Sequence, residues 1–154
     1  MANDPDDIPC WQRLDARITT SGRIAAEDIA RLAAIGVRQV INLALVDSPG
    51  ALTQEDRLIG EAGLSYTHIP VPFDAPEDHH FEQFRAAIER DDEPVHVHCM
   101  MNYRVSAFFY RLNRDIRGMD EAEALALMEQ QWSPGTSDHP DMQAWAQFIA
   151  KGGN

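Results

Sequence analysis

The fold and the chemistry both depend on one stretch, Val95-His-Val-His-Cys99-Met-Met-Asn-Tyr-Arg104-Val-Ser106. Pro94 and the residues up to His98 form a short apolar run, which is typical of a buried strand. Apolar side chains then recur at helical spacing, at positions 105, 108, 109, 112 and 116. The residues between the two patterns predict a tight loop, so Cys99 lies where a strand ends and a helix begins.

The same two patterns alternate along the rest of the chain. Strands separated by helices indicate parallel crossover connections. We therefore predict an α/β fold, a single domain in which helices flank a central, mostly parallel sheet. The predicted domain covers residues 20–150 and follows an N-terminal segment of residues 1–19. The predicted elements are strands at 37–44, 64–69 and 94–98, and helices that begin near 25, 53, 78, 105, 120 and 140. Thr53 and Asp78 are the candidate caps of the second and third helices, and the proline-rich residues 70–76, which include Asp74, predict a rigid loop.

The composition limits the classes of partner. The chain has 154 residues, the length of about one domain. Its 13 basic and 25 acidic residues give a net charge of −12. Binding to nucleic acid or to an anionic membrane needs a basic face, so we expect neither partner. A small substrate or a partner bound at one local site fits the charge better, and the sequence indicates no oligomeric state.

Three further features concern the compartment. No apolar run reaches the roughly 18 residues that a transmembrane helix needs. The acidic start MANDPDDIPC lacks the basic and apolar regions of a secretory signal. The two cysteines, Cys10 and Cys99, do not form a disulfide framework. We therefore expect a cytoplasmic protein, and a disulfide between these two residues as a redox guard stays open as an alternative.

Cys99 occupies a position that suits a nucleophile. In open α/β sheets ligands bind at the carboxyl ends of strands, and the free N–H groups at a helix start favour anions. The positive electrostatic potential at a helix start also favours the thiolate form of a cysteine, which is the nucleophilic form. Arg104 offers a planar fork for two oxygens of a tetrahedral anion. No Asp or Glu occurs from Pro94 to Arg114, although a buried strand and an apolar helix also exclude acids.

This stretch resembles the active-site signature of cysteine-dependent protein tyrosine and dual-specificity phosphatases. The resemblance rests on His98-Cys99, a short loop, Arg104 and Ser106, after an apolar strand. Upstream, the order of the elements over about residues 20–115, including an Asp-bearing loop, is similar to that of the phosphatase domains. The chain looks closest to a bacterial group of small phosphatase-like domains that have an Asn-x-Arg-x-Ser loop.

The resemblance implies an enzyme that hydrolyses phosphomonoesters through a cysteinyl-phosphate intermediate, with no cofactor. Cys99 is then the nucleophile, Arg104 binds phosphate oxygens, and Asp74 is the general acid, with Asp78 as its alternative. His98 supports the strand and the loop, and the substrate is a phosphorylated small molecule or protein. The residues implied in phosphate binding are Met100, Met101, Asn102, Tyr103, Arg104 and Ser106.

The loop departs from the phosphatase signature in two respects. Only four residues separate Cys99 from Arg104, one fewer than in the signature, and none of them is glycine. We expect Asn102 to supply the left-handed backbone that glycine usually provides. A four-residue gap is similar to the loop of rhodanese sulfurtransferases. Sulfur transfer through a Cys99 persulfide therefore stays open, as does an oxyanion-binding module without turnover.

Several histidines also suggest a metal site. His96 and His98 share one face of a strand, and with Cys99, His79 and His80 they offer metal-ligating atoms. We favour a different interpretation, in which the strand histidines pack against helices and the other two lie at an exposed helix start. We therefore predict no metal.

Overall fold

The computed structural model describes residues 3–48, 50–134 and 140–151. The strands in these ranges are β1 (Gln12–Arg13), β2 (Ile18–Ser21), β3 (Gln39–Asn42), β4 (Ser65–His68) and β5 (Val95–His98). The helices are α1 (Ala26–Ala34), α2 (Glu55–Glu61), α3 (Asp78–Glu89), α4 (Tyr103–Asp115), α5 (Glu121–Glu129) and α6 (Pro140–Ala150).

The strands form one sheet in the order β1-β2-β5-β3-β4. Only the edge pair β1–β2 is antiparallel, and the other three pairs are parallel. Parallel neighbours need crossover connections, and α1, α2 and α3 lie in the connections between successive parallel strands. The predicted α/β architecture, with a mostly parallel sheet flanked by helices, is confirmed. The three predicted strands are β3, β4 and β5, each shorter than predicted.

The two faces of the sheet carry separate apolar cores because successive side chains of a strand point to opposite faces. In β3, Val40 packs with residues of α1 and α2, whereas Ile41 packs with residues of α3 to α6. In β5, Val95 and Val97 join the second core. His96 and His98 therefore face the side of the sheet that α1 and α2 cover.

The sequence analysis did not predict β1 and β2. Ile18-Thr-Thr-Ser21 has one large apolar residue, so it lacks the apolar run that marked the other strands. All four residues are nevertheless buried, because the hydroxyl groups of Thr19, Thr20 and Ser21 all form hydrogen bonds inside the fold. Residues 12–19, which we assigned to an N-terminal segment, thus add β1 and the first half of β2 to the sheet. The domain boundary at residue 20 stays a prediction.

Two helix starts differ from the sequence analysis. We predicted Thr53 as the cap of the second helix, but Gln54, with φ of 56°, precedes its first residue. We predicted Asp78 as a cap, but it is the first residue of α3 and follows Glu77. In both cases the predicted cap adjoins another polar residue, and the sequence pattern does not select between the two. No helix in the described ranges is long and apolar enough to cross a membrane.

His96 is fully buried beneath the α1 and α2 layer. Its ring stacks on Trp11 with 5.3 Å between centroids. The hydroxyl of Ser21 donates to the Gly22 carbonyl, so it accepts from Nε2–H of His96 at 2.8 Å. Nδ1 accepts from the Thr19 hydroxyl at 2.9 Å. This pattern fits a neutral imidazole, and burial together with the nearby His98 holds the pKa of His96 well below its ordinary value.

We expect this histidine to make the protein less stable in mild acid. The unfolded chain binds a proton at His96 near pH 6.5, whereas the folded chain does not. The free energy of unfolding therefore falls as the pH drops below about 6.5, by up to about 1.4 kcal/mol per pH unit. Urea unfolding at pH 7 and pH 5.5 should show a smaller difference in His96→Gln than in wild type. The exposed His79→Gln variant should keep the wild-type difference, and equal differences in all three proteins would contradict the prediction.

Candidate active site

The candidate site begins where β5 ends. β5 lies between β2 and β3, and His98 pairs with Ser21 on one side and Asn42 on the other. Cys99 follows directly and is 1% exposed. Its N–H faces the Ser21 carbonyl at 3.5 Å. The thiol therefore lies at the carboxyl edge of the sheet, between the connections that leave two neighbouring strands.

The connection after β2 holds the loop in place. The Arg23 N–H donates to the Met100 carbonyl at 3.1 Å. A Cβ atom on Gly22 would lie 2.6 Å from the same carbonyl oxygen, closer than real Cβ atoms come to a backbone oxygen. Glycine at position 22 thus permits a close approach of two backbones. The loop that begins at Cys99 is supported by β2 as well as by its own strand.

Asn102 takes the left-handed backbone conformation that the sequence analysis expected. Its φ is 64° and its ψ is 9°. The side chain is fully buried and its Nδ2 donates to the Cys10 carbonyl at 2.9 Å and to the Thr20 hydroxyl at 3.0 Å. These hydrogen bonds offset the free-energy cost of the left-handed backbone conformation at Asn102. They also direct the chain from the loop into α4.

The backbone N–H groups of the Cys99 loop are free of acceptors within the described part of the chain. In the described ranges, none of the six backbone N–H groups from Met100 to Val105 donates to the protein. The next N–H along the chain, that of Ser106, donates to the Asn102 carbonyl at 2.9 Å. The first turn of α4 contains no acidic residue. Free N–H groups at the start of a 13-residue helix, without a competing carboxylate, favour an anion.

Arg104 points from α4 towards the loop that follows β4. Its guanidinium is buried, and Nη1 donates to the Val71 carbonyl at 2.9 Å. The guanidinium also lies 5.8 Å from the centre of the Phe73 ring. A guanidinium has five N–H donors, and only one of them has an acceptor in the described ranges. The other four donors have no acceptor there, and binding of an anion by this guanidinium stays a prediction.

The loop with Asp74 is anchored through its neighbour. The Phe73 carbonyl accepts from the Trp145 indole at 2.6 Å, which ties the loop to α6. Asp74 itself is exposed and follows the ring that lies beside Arg104. The alternative acid, Asp78, forms an ion pair of 3.0 Å with Arg111 in the second half of α4. Of these two acids, only Asp74 has a carboxylate without a partner in the described ranges, and its role as general acid stays a prediction.

A family model for the phosphatase-like domain of beta-lactamase hydrolase-like proteins matches residues 11–114. The chain belongs to this family. The resemblance to cysteine-dependent phosphatases is thereby confirmed at the level of the family, and this phosphatase-like domain has the five-stranded sheet described above. No functionally curated protein is significantly similar to the chain.

Solved structures agree with this assignment. A crystal structure from Shewanella putrefaciens CN-32, described as a "putative phosphatase (DUF442)", is 30% identical, and 98% of each chain is covered with a TM-score of 0.82. TpbA from P. aeruginosa, solved in complex with pTyr, is 23% identical over 100% of this chain and 89% of its own, with a TM-score of 0.68. PTPMT1 in complex with PI(5)P is 14% identical over 92% and 95% of the two chains, with a TM-score of 0.69.

The phosphatase-like domain also contains a buried pair that the sequence analysis missed. Nε2–H of His98 donates to the Glu55 carboxylate at 2.6 Å, and both side chains are about 95% buried. Nδ1 lies 3.4 Å from the Cys99 carbonyl. Glu55 thus holds the ring of His98 in place at the end of β5, and the sequence analysis had predicted His98 as the residue that supports this strand and loop. An acidic residue in the first turn of a helix usually has a local explanation, so the sequence carried no signal for this partner.

Ser106 lies close to the loop but bonds elsewhere. Its hydroxyl donates to the Tyr103 carbonyl at 3.1 Å within α4. The residue lines a small internal space together with Thr20 and Asn102. Among the other predicted phosphate-binding residues, Met101 is exposed and Tyr103 stacks on Trp132 at 4.5 Å between centroids. Contact of these side chains with a phosphate stays a prediction.

Cys10 belongs to the surroundings of the loop. Its carbonyl accepts from Asn102, and the preceding carbonyl of Pro9 accepts from the Gly22 N–H at 2.7 Å. Burial raises the pKa of the Cys10 thiol, the neighbouring Cys99 raises it further, and Arg23 acts in the opposite direction. The N-terminal segment therefore packs against the loop. A disulfide between the two cysteines stays a prediction.

The candidate metal ligands lie in two separate places. His96 and His98 use their ring nitrogens inside the fold, as described above. At the exposed start of α3, potential ligand atoms of Glu77, His79 and His80 lie within 4.8 Å of one another. Nδ1 of His80 already accepts from the Glu77 N–H at 3.1 Å, which leaves only Nε2 of that ring for another partner.

Proposed function

We propose that this protein is a metal-independent phosphatase that hydrolyses phosphomonoesters through a cysteinyl-phosphate on Cys99. The observation that supports it best is the row of six N–H groups from Met100 to Val105, which have no acceptor in the described chain and directly follow a buried thiol. Such groups match the equatorial oxygens of a phosphoryl group. Family membership and the phosphatase-type neighbours support the same reaction.

In the first step the Cys99 thiolate attacks phosphorus in line with the departing oxygen. The sulfur–phosphorus bond forms while the bond to the ester oxygen breaks. The loop N–H groups and the free donors of Arg104 bind the three equatorial oxygens. Asp74 gives its proton to the departing oxygen, so the alcohol leaves neutral.

In the second step a water molecule attacks the cysteinyl-phosphate. Asp74, now a carboxylate, accepts a proton from this water. The sulfur–phosphorus bond breaks, inorganic phosphate leaves, and Cys99 returns to the thiolate. The same anion site binds the phosphoryl oxygens in both steps.

The proposed substrate is a phosphorylated small molecule or protein. One neighbour was solved with phosphotyrosine and another with a phosphoinositide, which supports a phosphorylated ligand at this fold. The net charge of −12 argues against nucleic acid as a partner. A cytoplasmic location also remains our prediction.

Sulfur transfer is the second candidate, and the loop length is the observation that favours it. Four residues between Cys99 and Arg104 leave a smaller space than five. A persulfide sulfur is smaller than a phosphoryl group and needs fewer donors. Thiosulfate treatment should add 32 Da to Cys99 if this candidate is right, and an unmodified thiol would argue against it.

The proposed function is tested with 4-nitrophenyl phosphate in the presence of a chelator, from pH 5 to pH 8. We expect turnover by wild type, and an acid quench during turnover should yield a phosphorylated peptide that contains Cys99. Binding of phosphate that raises the melting temperature without any turnover would instead indicate an oxyanion-binding module. Turnover that the chelator abolishes would contradict a metal-independent mechanism.

Asp74→Asn is expected to affect substrates according to their leaving groups. A poor leaving group needs a proton, so kcat for phenyl phosphate should fall by about 10²-fold or more. The kcat for 4-nitrophenyl phosphate, whose anion leaves readily, should fall much less. Asp78→Asn is the matched control, because its carboxylate pairs with Arg111. Equal losses on both substrates, or a larger effect of the control, would remove Asp74 from the mechanism.

A further inference from the structure

Arg23 is a basic residue beside the candidate site that the proposed mechanism does not use. It follows β2 closely, and its backbone N–H donates to the Met100 carbonyl. Its side chain is exposed. Because β2 and β5 are parallel neighbours, the residue lies one strand away from the Cys99 loop, at the same edge of the sheet.

The guanidinium of Arg23 has no partner in the described ranges. Ten of the twelve arginines donate a hydrogen bond from the guanidinium or form an ion pair, and only Arg23 and Arg38 do not. The chain has 25 acidic residues against 13 basic ones. An arginine that meets none of these acids has its guanidinium N–H donors available for a ligand.

An open cavity of about 390 Å³ lies beside this side chain. The start of α1, at Ala25 and Ala26, and the segment from Gly50 to Thr53 also line it. The acid in this lining, Asp28, is already engaged, since Oδ1 accepts from Arg31 and Oδ2 accepts from the Ala25 N–H. The cavity is therefore lined by an arginine without a partner in the described ranges, Arg23, and by a carboxylate that already accepts two hydrogen bonds, that of Asp28.

Gly50, which lines this cavity, also lies close to the Cys99 loop. A Cβ atom on Gly50 would lie 3.4 Å from the Met100 methyl group and 3.9 Å from Nη1 of Arg23. The missing side chain at position 50 therefore leaves both groups facing one space. Burial and the nearby Cys99 raise the pKa of the Cys10 thiol, and Arg23 opposes this rise, as expected for a guanidinium close to the same thiol.

We propose that Arg23 binds a second anionic group of the substrate while the Cys99 loop holds the phosphoryl group. The substrate class is then a phosphomonoester that carries a further carboxylate or phosphate on the same small molecule or peptide. A guanidinium recognises either group through paired N–H donors. This inference rests on the proposed function for the position of the phosphoryl group.

The test compares three ligands by calorimetry on the Cys99→Ser protein, which does not consume them. They are phenyl phosphate, 4-carboxyphenyl phosphate and benzene-1,4-diyl bisphosphate. We expect at least one of the two doubly anionic ligands to bind about tenfold tighter than phenyl phosphate. Adding Arg23→Gln should reduce this preference to about twofold or less, and raising the salt concentration should weaken it. The two doubly anionic ligands distinguish a carboxylate from a phosphate as the second group.

Arg38→Gln in the same background is the matched control. Arg38 is the other arginine without a partner in the described chain, but it precedes β3, at the opposite end of the parallel strands. Arg38→Gln should leave the preference for the doubly anionic ligands unchanged. If Cys99→Ser does not fold, inhibition of wild type by pyrophosphate relative to phosphate, with and without Arg23→Gln, gives the same comparison.

The outcomes separate this inference from the proposed function. Hydrolysis of phenyl phosphate by wild type, together with a preference that Arg23→Gln does not change, would overturn the inference and leave the function intact. A preference that depends on Arg23 in a protein without phosphatase activity would support the anion site and overturn the function. Absence of any preference for the doubly anionic ligands would overturn the inference.

Discussion

Cys99→Ser is expected to lower kcat for 4-nitrophenyl phosphate by at least about 10⁴-fold, the loss typical of a removed nucleophile. A serine hydroxyl is protonated at neutral pH, and the ring of the adjacent residue, His98, already bonds to Glu55. The substitution changes one buried atom of similar size. The fold and the row of free N–H groups should therefore persist.

Two measurements make this prediction specific. The variant should still bind phosphate, seen as a rise in melting temperature similar to that of wild type, because the loop N–H groups and Arg104 remain. Cys10→Ser is the matched control, since it removes the only other thiol of the chain and should leave kcat within about threefold, as expected for a residue that touches no reacting atom. Residual turnover above about one per cent in Cys99→Ser would contradict nucleophilic catalysis by this residue.

Arg104→Lys is expected to lower kcat/KM by about 10²- to 10³-fold, the usual loss when a donor to a developing negative charge is removed. Lysine retains the positive charge but not the planar fork. The Val71 carbonyl also loses the donor that it has at 2.9 Å. The loop that carries Asp74 would then be held less firmly, so both kcat and phosphate affinity should fall.

Arg111→Lys is the matched control for this substitution. Arg111 lies two turns further along α4, where its guanidinium packs between Phe81 and Phe148 at 4.4 and 4.6 Å from the ring centres. It is equally buried, so its loss should lower the melting temperature but leave kcat/KM close to that of wild type. If the two variants lost the same activity per degree of lost stability, Arg104 would be a structural residue rather than a catalytic one.

The strand, loop and helix around Cys99 could be predicted from the amino-acid pattern alone. Their signal is local, because apolar periodicity and the left-handed tolerance of Asn102 act within a dozen residues. The mostly parallel α/β sheet followed from the alternation of such segments. Local patterns also placed Arg104 next to the start of the helix and Asp74 in a rigid loop, whereas the family was indicated by the resemblance of the Cys99 segment to the phosphatase signature.

Features that depend on partners distant in sequence emerge only in the folded chain. β2 could not be predicted because its polar residues are stable in the core only when His96 and Asn102 satisfy them. Glu55 meets His98 across 43 positions of sequence. Arg23 acquires its place beside the loop from the pairing of β2 with β5. Buried polar groups need a specific partner rather than an apolar surface, and the pairing of strands selects that partner, which no local pattern records.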